Sequence, residues 1–495
     1  MNIYRLVIFE ILTIPLWLIA GQINSFSLAV IAALVATILI FIILRSELNI
    51  NKKLYINYLA LASIFLILII NIGWLISYYI IQFKLNDIFS VYLIENLNIK
   101  IVNYSYAVAY TTFFAIAVGL FSSTDIVKRY INLIYQKLLK IVYFDIDLIS
   151  KCIFIISLVE IVLIASGFII YRGIATEDFD EGRIPWYLFA LNSIFNLQSP
   201  LMAVLTIKIL GNYRKINPTY KILLIFSMTI SIVVFFTRGR APLGIFLLSY
   251  IVFVNLLNSK NLNLKSFYKA ILLLIPVFFV LATLFNFVRL GESGSKDLKN
   301  ENIITVMKNG LEIYFSDQNI QSIANEAVAI NLASRPLVLI ATTKALEVPF
   351  SQSTFLYGKA LYNHFIWTIP SIFYSFRDKL LVQRNEVVIN LFHPLFDVDI
   401  SDNPIIYSYI DFGYFGLFLY PLILFLFIVN IQYLMSLYFV HPLIILMILS
   451  NLFPLFILGL GESDLNTWMS AYRDNFLIIM ISFLLNFISK IKWNN

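Results

Sequence analysis

The residues best suited to chemistry in this chain are its arginines, and their placement is uneven. Arg238 and Arg240 lie two apart in the turn Phe236-Thr237-Arg238-Gly239-Arg240-Ala241-Pro242-Leu243. Arg289 closes an apolar run, and Arg335, Arg377 and Arg384 fall in the longer stretch that follows it. A guanidinium offers a planar fork of donors and keeps its charge at any physiological pH, so it suits phosphate oxygens better than a lysine does. Metal chemistry has no comparable support. Cys152 stands alone, and His364, His393 and His441 are too far apart to form a metal-ligand pattern. Asp397-Val398-Asp399-Ile400-Ser401-Asp402 lacks the glycine and the closing glutamate of a calcium loop.

The elements that position these arginines are apolar helices. The chain is 60% hydrophobic and 13% charged, about half the charge of a soluble domain. Apolar runs near 4–21, 26–44, 57–82, 105–122, 152–171, 186–210, 222–237, 242–257, 270–289, 407–430, 441–460 and 475–490 are close to or above the length that crosses about 30 Å of hydrocarbon. The expected fold is therefore an all-α polytopic membrane protein of about twelve transmembrane helices. Residues 1–289 hold the first nine, 290–406 form one large outward loop with interfacial helices, and 407–495 hold the last three. The first apolar segment lacks a small residue two places before Ala20 and is expected to remain as an uncleaved span.

Lysines gather in the loops on the side of the termini: Lys52, Lys53, Lys128, Lys137, Lys140, Lys151, Lys215, Lys221, Lys260, Lys265, Lys269, Lys490 and Lys492. The positive-inside rule places both termini in the cytoplasm and the long loop outside. Nine of the thirteen arginines then face outward: the six above with Arg172, Arg183 and Arg473. Topology does not require arginine over lysine, so the bias points to recognition of phosphate at headgroup depth. Any one arginine at a span end can also snorkel to the interface.

Other features have plainer expectations. Residues 123–151 are basic and amphipathic, with Ile131, Ile134, Leu138 and Ile141 at helical spacing, and are expected to lie on the cytoplasmic membrane surface. Glu10 and Glu160 sit inside spans, where a carboxylate is either a functional group or a packing partner. The segment 355–376, with Tyr357, Tyr362, Phe365, Trp367 and Phe373, is expected to lie against the outer leaflet and roof a cavity. Nothing suggests nucleic acid: no basic stripe is interleaved with exposed aromatics.

Three places share one further likeness. The turn at Arg238 and Arg240 resembles the arginine-containing turn that O-antigen polymerases, the oligosaccharide repeat-unit polymerases, carry between two spans ahead of a large loop. Arg240 is the better match. Leu356-Tyr357-Gly358-Lys359-Ala360, followed by Ile369-Pro370-Ser371-Ile372, resembles the family's Tyr-Gly…Ile-Pro segment. Tyr409-Ile410-Asp411-Phe412-Gly413-Tyr414-Phe415-Gly416 resembles its Phe-Gly-x-x-Gly motif. The likeness covers roughly residues 220–430, and Gly413 and Gly416 also have the spacing of a simple close helix contact.

The resemblance implies a metal-independent glycosyltransferase of GT-C-like architecture, without a cofactor, at the periplasmic face of the bacterial inner membrane. Donor and acceptor would both be glycans on undecaprenyl pyrophosphate. Arg240 and Arg289, with Arg238, Arg335, Arg377 and Arg384, would hold pyrophosphate and glycan. His364 would be the general base, with Asp411 and Glu462 as alternatives. Gly358, Pro370, Gly413 and Gly416 would be structural. Membrane lipids, a chain-length regulator and a flippase would be partners. Two other classes compete: an O-antigen ligase, which moves finished glycan onto lipid A core, and a flippase for lipid-linked oligosaccharide. A flippase would be expected to have charges along a central path and two similar halves, and no internal repeat is visible.

Overall fold

The computed structural model describes residues 3–50, 101–122, 124–142, 145–165, 194–212, 356–369, 403–455 and 465–493, with short helical pieces near 63–75, 245–253, 308–315 and 342–347. The described residues are mostly helical, and no strand occurs among them. Among the described residues, two stretches are long and apolar enough to cross a membrane, Ile101–Ser122 and Pro404–Ser436. At 1.5 Å per residue the first is about 33 Å long. The expected spans near 57–82, 222–237, 242–257 and 270–289 lie largely outside the described residues.

The chain divides into two compact units, each built from separate stretches. The first comprises Met1–Ile134, Ile330–Val440 and Leu455–Asn495. Here α1 (Ile3–Gln22) and α2 (Phe26–Ile50) form a hairpin. Asn24 takes the left-handed conformation in the turn, with a φ of 53°, which asparagine tolerates better than most residues. Ser25 Oγ then accepts the Leu28 N–H at 3.3 Å and caps α2. α1 packs against α3 (Ile101–Ser122), and Gly21 sets how closely: a Cβ there would lie 2.7 Å from Ser105 Oγ. Trp17 meets the Tyr104 ring at 6.0 Å and donates its Nε1–H to Asn71 Oδ1 at 3.3 Å.

α2 inverts the burial expected in water. Ala29, Ala32, Ala33 and Ala36 face inward, while Ile31, Leu34, Ile38 and Ile42 are 45–55% exposed. Small residues inside and large apolar ones outside is the arrangement helices adopt among lipid tails, where close backbone packing drives association. α2 also continues to Ile50, beyond the expected end near residue 44.

α4 (Asp125–Val142) follows α3 directly. The sequence periodicity is realised: Val127, Ile131, Ile134, Tyr135, Leu138 and Ile141 form one buried stripe. The expected surface helix therefore turns this apolar face to protein, not to lipid. In the first unit the loop segment α7 (Lys359–Trp367) packs beside α8 (Pro404–Phe412) and α11 (Leu465–Trp493). α9 (Gly416–Ser436) packs on α3, α8 and α11.

The second unit, Tyr135–Ala329 with His441–Pro454, contains α5 (Ile146–Ala165), α6 (Gln198–Asn212) and α10 (Pro442–Pro454). Several of its described polar groups are buried. Ser157 accepts a hydrogen bond from Gln198, and Asn196 Nδ2 donates to Asn451 Oδ1 at 3.0 Å. Glu160 is buried in α5, whereas Ile155, Leu158, Val159 and Val162 are exposed on the same helix.

Candidate functional site

Two of the motif segments noted in the sequence meet in space. The apolar run Pro404–Ser436 was expected as one span near 407–430, but three residues break it. Gly413–Phe415 form a turn of 3-10 helix, and Gly413 enters it with a φ of 58°. The chain folds so tightly there that Gly416 backs onto Ser408. A Cβ at Gly416 would lie 1.9 Å from the Ser408 carbonyl oxygen. The spacing Gly-x-x-Gly thus serves a corner between α8 and α9.

α8 starts on a well-formed cap. Asn403 Oδ1 accepts the N–H groups of Ile405 and Ile406 at 3.0 and 2.9 Å, and Pro404 occupies the first turn, where no N–H is needed. α3 fastens the corner from another direction. Tyr110 Oη lies 2.9 Å from Ser408 Oγ and 3.2 Å from the Gly413 carbonyl oxygen. The rings of Tyr409 and Tyr414 pack against the Tyr110 ring at 5.6 and 6.2 Å.

The end of α8 carries Asp411, wholly buried. Its carboxylate does not point into open space. Oδ1 accepts the Ala360 N–H at 3.1 Å, and Oδ2 accepts the Leu361 N–H at 2.8 Å and the Tyr420 hydroxyl at 2.6 Å. These amides open α7, where the first N–H groups of any helix lack internal partners. Gly358 occupies the local cap position and has no side chain to serve them. Asp411 supplies the missing cap from a different helix, and the helix dipole favours a negative charge there.

Gly358 is fitted to this docking in two respects. Tyr357 and Gly358 take φ of 48° and 85°, so the chain reverses just before α7. A Cβ at Gly358 would also meet the Phe412 ring at 3.0 Å. Leu356 N–H donates to the Ile410 carbonyl at 3.1 Å and completes the seam. The Tyr-Gly and Phe-Gly segments, separated by some fifty residues, form one interlocked structure.

α7 is held at its other end too. Arg473 of α11 donates Nη1–H to the Thr368 carbonyl at 3.0 Å and Nε–H to Asp474 at 2.8 Å. A cation on the last carbonyls suits the negative end of a helix. This outward arginine of the sequence analysis is thus engaged with the protein. Between the two ends, Asn363 and His364 are buried. The His364 ring stands edge-on to Tyr407 at 4.9 Å. Tyr357, Lys359, Tyr362 and Phe365 are exposed, so α7 is inserted among helices along one side and open along the other.

Of the expected site residues, the structure brings together Gly358, His364, Asp411, Gly413 and Gly416. Arg238, Arg240, Arg289, Arg335, Arg377, Arg384, Pro370 and Glu462 lie outside the described residues. Sequence reasoning missed Tyr110, Ser408 and Tyr420, three hydroxyls inside apolar helices with no local pattern to mark them. It also passed over Asn403-Pro404, whose signal as a helix start was present. No family model matches this chain, and neither a curated protein nor a solved structure matches it.

Proposed function

We propose that this protein is a polytopic glycosyltransferase of the bacterial inner membrane, with both termini cytoplasmic. It would polymerise undecaprenyl-pyrophosphate-linked repeat units into O-antigen or a related surface polysaccharide. The observation that carries this reading is the interlock of the Tyr-Gly and Phe-Gly segments through Asp411, because two segments chosen for their likeness to one family turn out to be one structural unit. The membrane setting is supported by α2 and α5, with large apolar residues outside and small or polar ones inside.

In the reaction, an oxygen of the acceptor sugar attacks the anomeric carbon of the donor glycan. The bond from that carbon to pyrophosphate breaks, and the lipid pyrophosphate leaves with the electron pair. Arg240 and Arg289, assisted by Arg377 and Arg384, stabilise the charge that builds on it, which preorganised cations do best near a low-dielectric boundary. The hydroxyl proton passes to a base. Both Asp411 oxygens already accept hydrogen bonds, so Asp411 serves as a positioning residue, and His364 and Glu462 are the groups assigned to the proton.

Deleting the gene in its host and resolving the surface lipopolysaccharide on a gel tests the proposal. The expected outcome is loss of the ladder with a single-repeat band retained. Loss of every repeat-bearing band identifies a flippase or ligase, and accumulated long lipid-linked polymer singles out the ligase. Arg240→Ala at normal protein level is expected to abolish the ladder, and normal polymer from that variant would remove Arg240 from the mechanism.

A further inference from the structure

Part of a second face of α4 is left exposed. Ile126 and Leu133 are 58% and 38% exposed, although the helix buries a full apolar stripe elsewhere. At 100° per residue, Lys140, Leu133, Ile126 and Lys137 fall in one arc of about 60°, and Arg129 lies about 20° beyond it. Arg129 and Lys140 are exposed and Lys137 is half-buried. Two apolar side chains, two turns apart, are therefore bracketed by three cations. The single acid of α4, Asp125, sits at its first turn and is engaged by Lys128 at 2.8 Å.

The location of α4 follows from its neighbours. α3, long and apolar enough to cross a membrane, ends at Ser122. α5, a further apolar helix, begins at Ile146. Two residues on one side and three on the other separate α4 from them, a reach of about 7–10 Å. The start of α4 cannot stray far from the depth at which α3 leaves the hydrocarbon, and its end cannot stray far from the start of α5.

We propose that this face of α4 docks on anionic phospholipid headgroups, with Ile126 and Leu133 at the acyl border and Arg129, Lys137 and Lys140 on the lipid phosphates. The inference rests on the membrane setting proposed above but not on the glycosyltransferase activity. Basic side chains near a membrane surface are attracted to anionic lipid, and apolar residues on the same strip anchor the helix in the interface. Partial burial, reinforced by the charge of Lys140, pushes the Lys137 ammonium down to about 8. A lipid phosphate beside the two lysines offsets that repulsion.

The test uses the full chain carrying Cys152→Ser and Leu133→Cys, labelled with an environment-sensitive dye. It is reconstituted into vesicles of phosphatidylcholine alone or mixed with phosphatidylglycerol, and quenching by neutral acrylamide is measured. The expected result is a blue-shifted dye whose quenching falls about threefold when phosphatidylglycerol is present. Raised salt, or Arg129→Gln with Lys137→Gln and Lys140→Gln, is expected to erase that difference. The salt arm needs no basic-residue variant, so it stands even where the triple variant fails to fold. Quenching equal to that of free dye in both vesicles overturns the proposal by placing the face in water. Shielding that ignores phosphatidylglycerol overturns the anionic preference. A chain that fails to float with vesicles overturns the membrane setting itself.

Discussion

The corner at α7, α8 and α9 and the helix α4 border apolar helices in opposite ways. α4 is held by repetition: six buried residues at helical spacing, each contributing a similar amount of contact. The corner is held by single atoms. One carboxylate, two glycines without room for a methyl group and two tyrosine hydroxyls fix it. A repeated stripe tolerates exchange at any one position because the other residues remain in place. A lock built from unique contacts fails when one is removed, since a buried polar group that loses its partner keeps the full penalty of desolvation. Regions of the second kind are where membrane proteins keep polar atoms at depth.

The contrast can be broken most sharply at Gly416. Valine there must displace the Ser408 backbone, and we expect a loss of about 3 kcal/mol or more. Thermal unfolding in detergent with size-exclusion profiles measures it, and an unchanged melting temperature would mean the corner can open at little cost. Next comes Asp411→Ala, which strands the amides of α7 and the Tyr420 hydroxyl and is expected to cost about 3 kcal/mol. Asp411→Asn keeps an acceptor and should lose about half as much, so equal losses from the two variants would contradict the capping role.

On α4 the expected effects are smaller. Leu138→Ala removes one member of the buried stripe and is expected to cost about 2 kcal/mol in the same unfolding assay. A collapse as large as that of Gly416→Val would mean α4 is locked and not merely packed. The smallest effect is electrostatic. The Lys137 ammonium is depressed to about 8 in the folded protein, below the roughly 10.4 of an unfolded chain. Folding therefore favours the neutral amine. Its penalty is fully present below pH 8 and fades as pH rises from about 8 toward 10. Comparing melting temperatures with Lys137→Gln across that window isolates the effect, and the native chain should gain slightly on the variant as pH rises.

Legibility in the sequence followed the same divide. Periodicity marks α4 and its stripe in the sequence, although the amphipathic segment 123–151 runs into the start of α5 at Ile146, and apolar run length places α1, α3 and α11 within a few residues of their observed starts or ends. What periodicity could not convey was the partner of each face. The α4 stripe suited lipid and protein equally, and burial decided for protein. The break at Gly413 escaped because a hydropathy window averages over three residues that leave the helix while staying apolar. Asp411 was picked out for its acidity beside the Phe-Gly motif. Its task depended on amides fifty residues upstream, which no local pattern reports. Tyr420 and Tyr110 were invisible for the same reason, since a tyrosine inside an apolar helix resembles ordinary packing until its hydroxyl finds a partner.

The long reach of the Asp411 cap also imposes a timetable on synthesis. A nine-residue helix such as α7 is too short to persist unaided. Its cap lies 51 residues downstream, so at 5–20 residues per second α7 is synthesised roughly 3–10 s before Asp411 exists to close its first turn. Arg473, 105 residues beyond Thr368, arrives later still. Translation thus delivers the residue that secures the first turn of this helix before the one that secures its last.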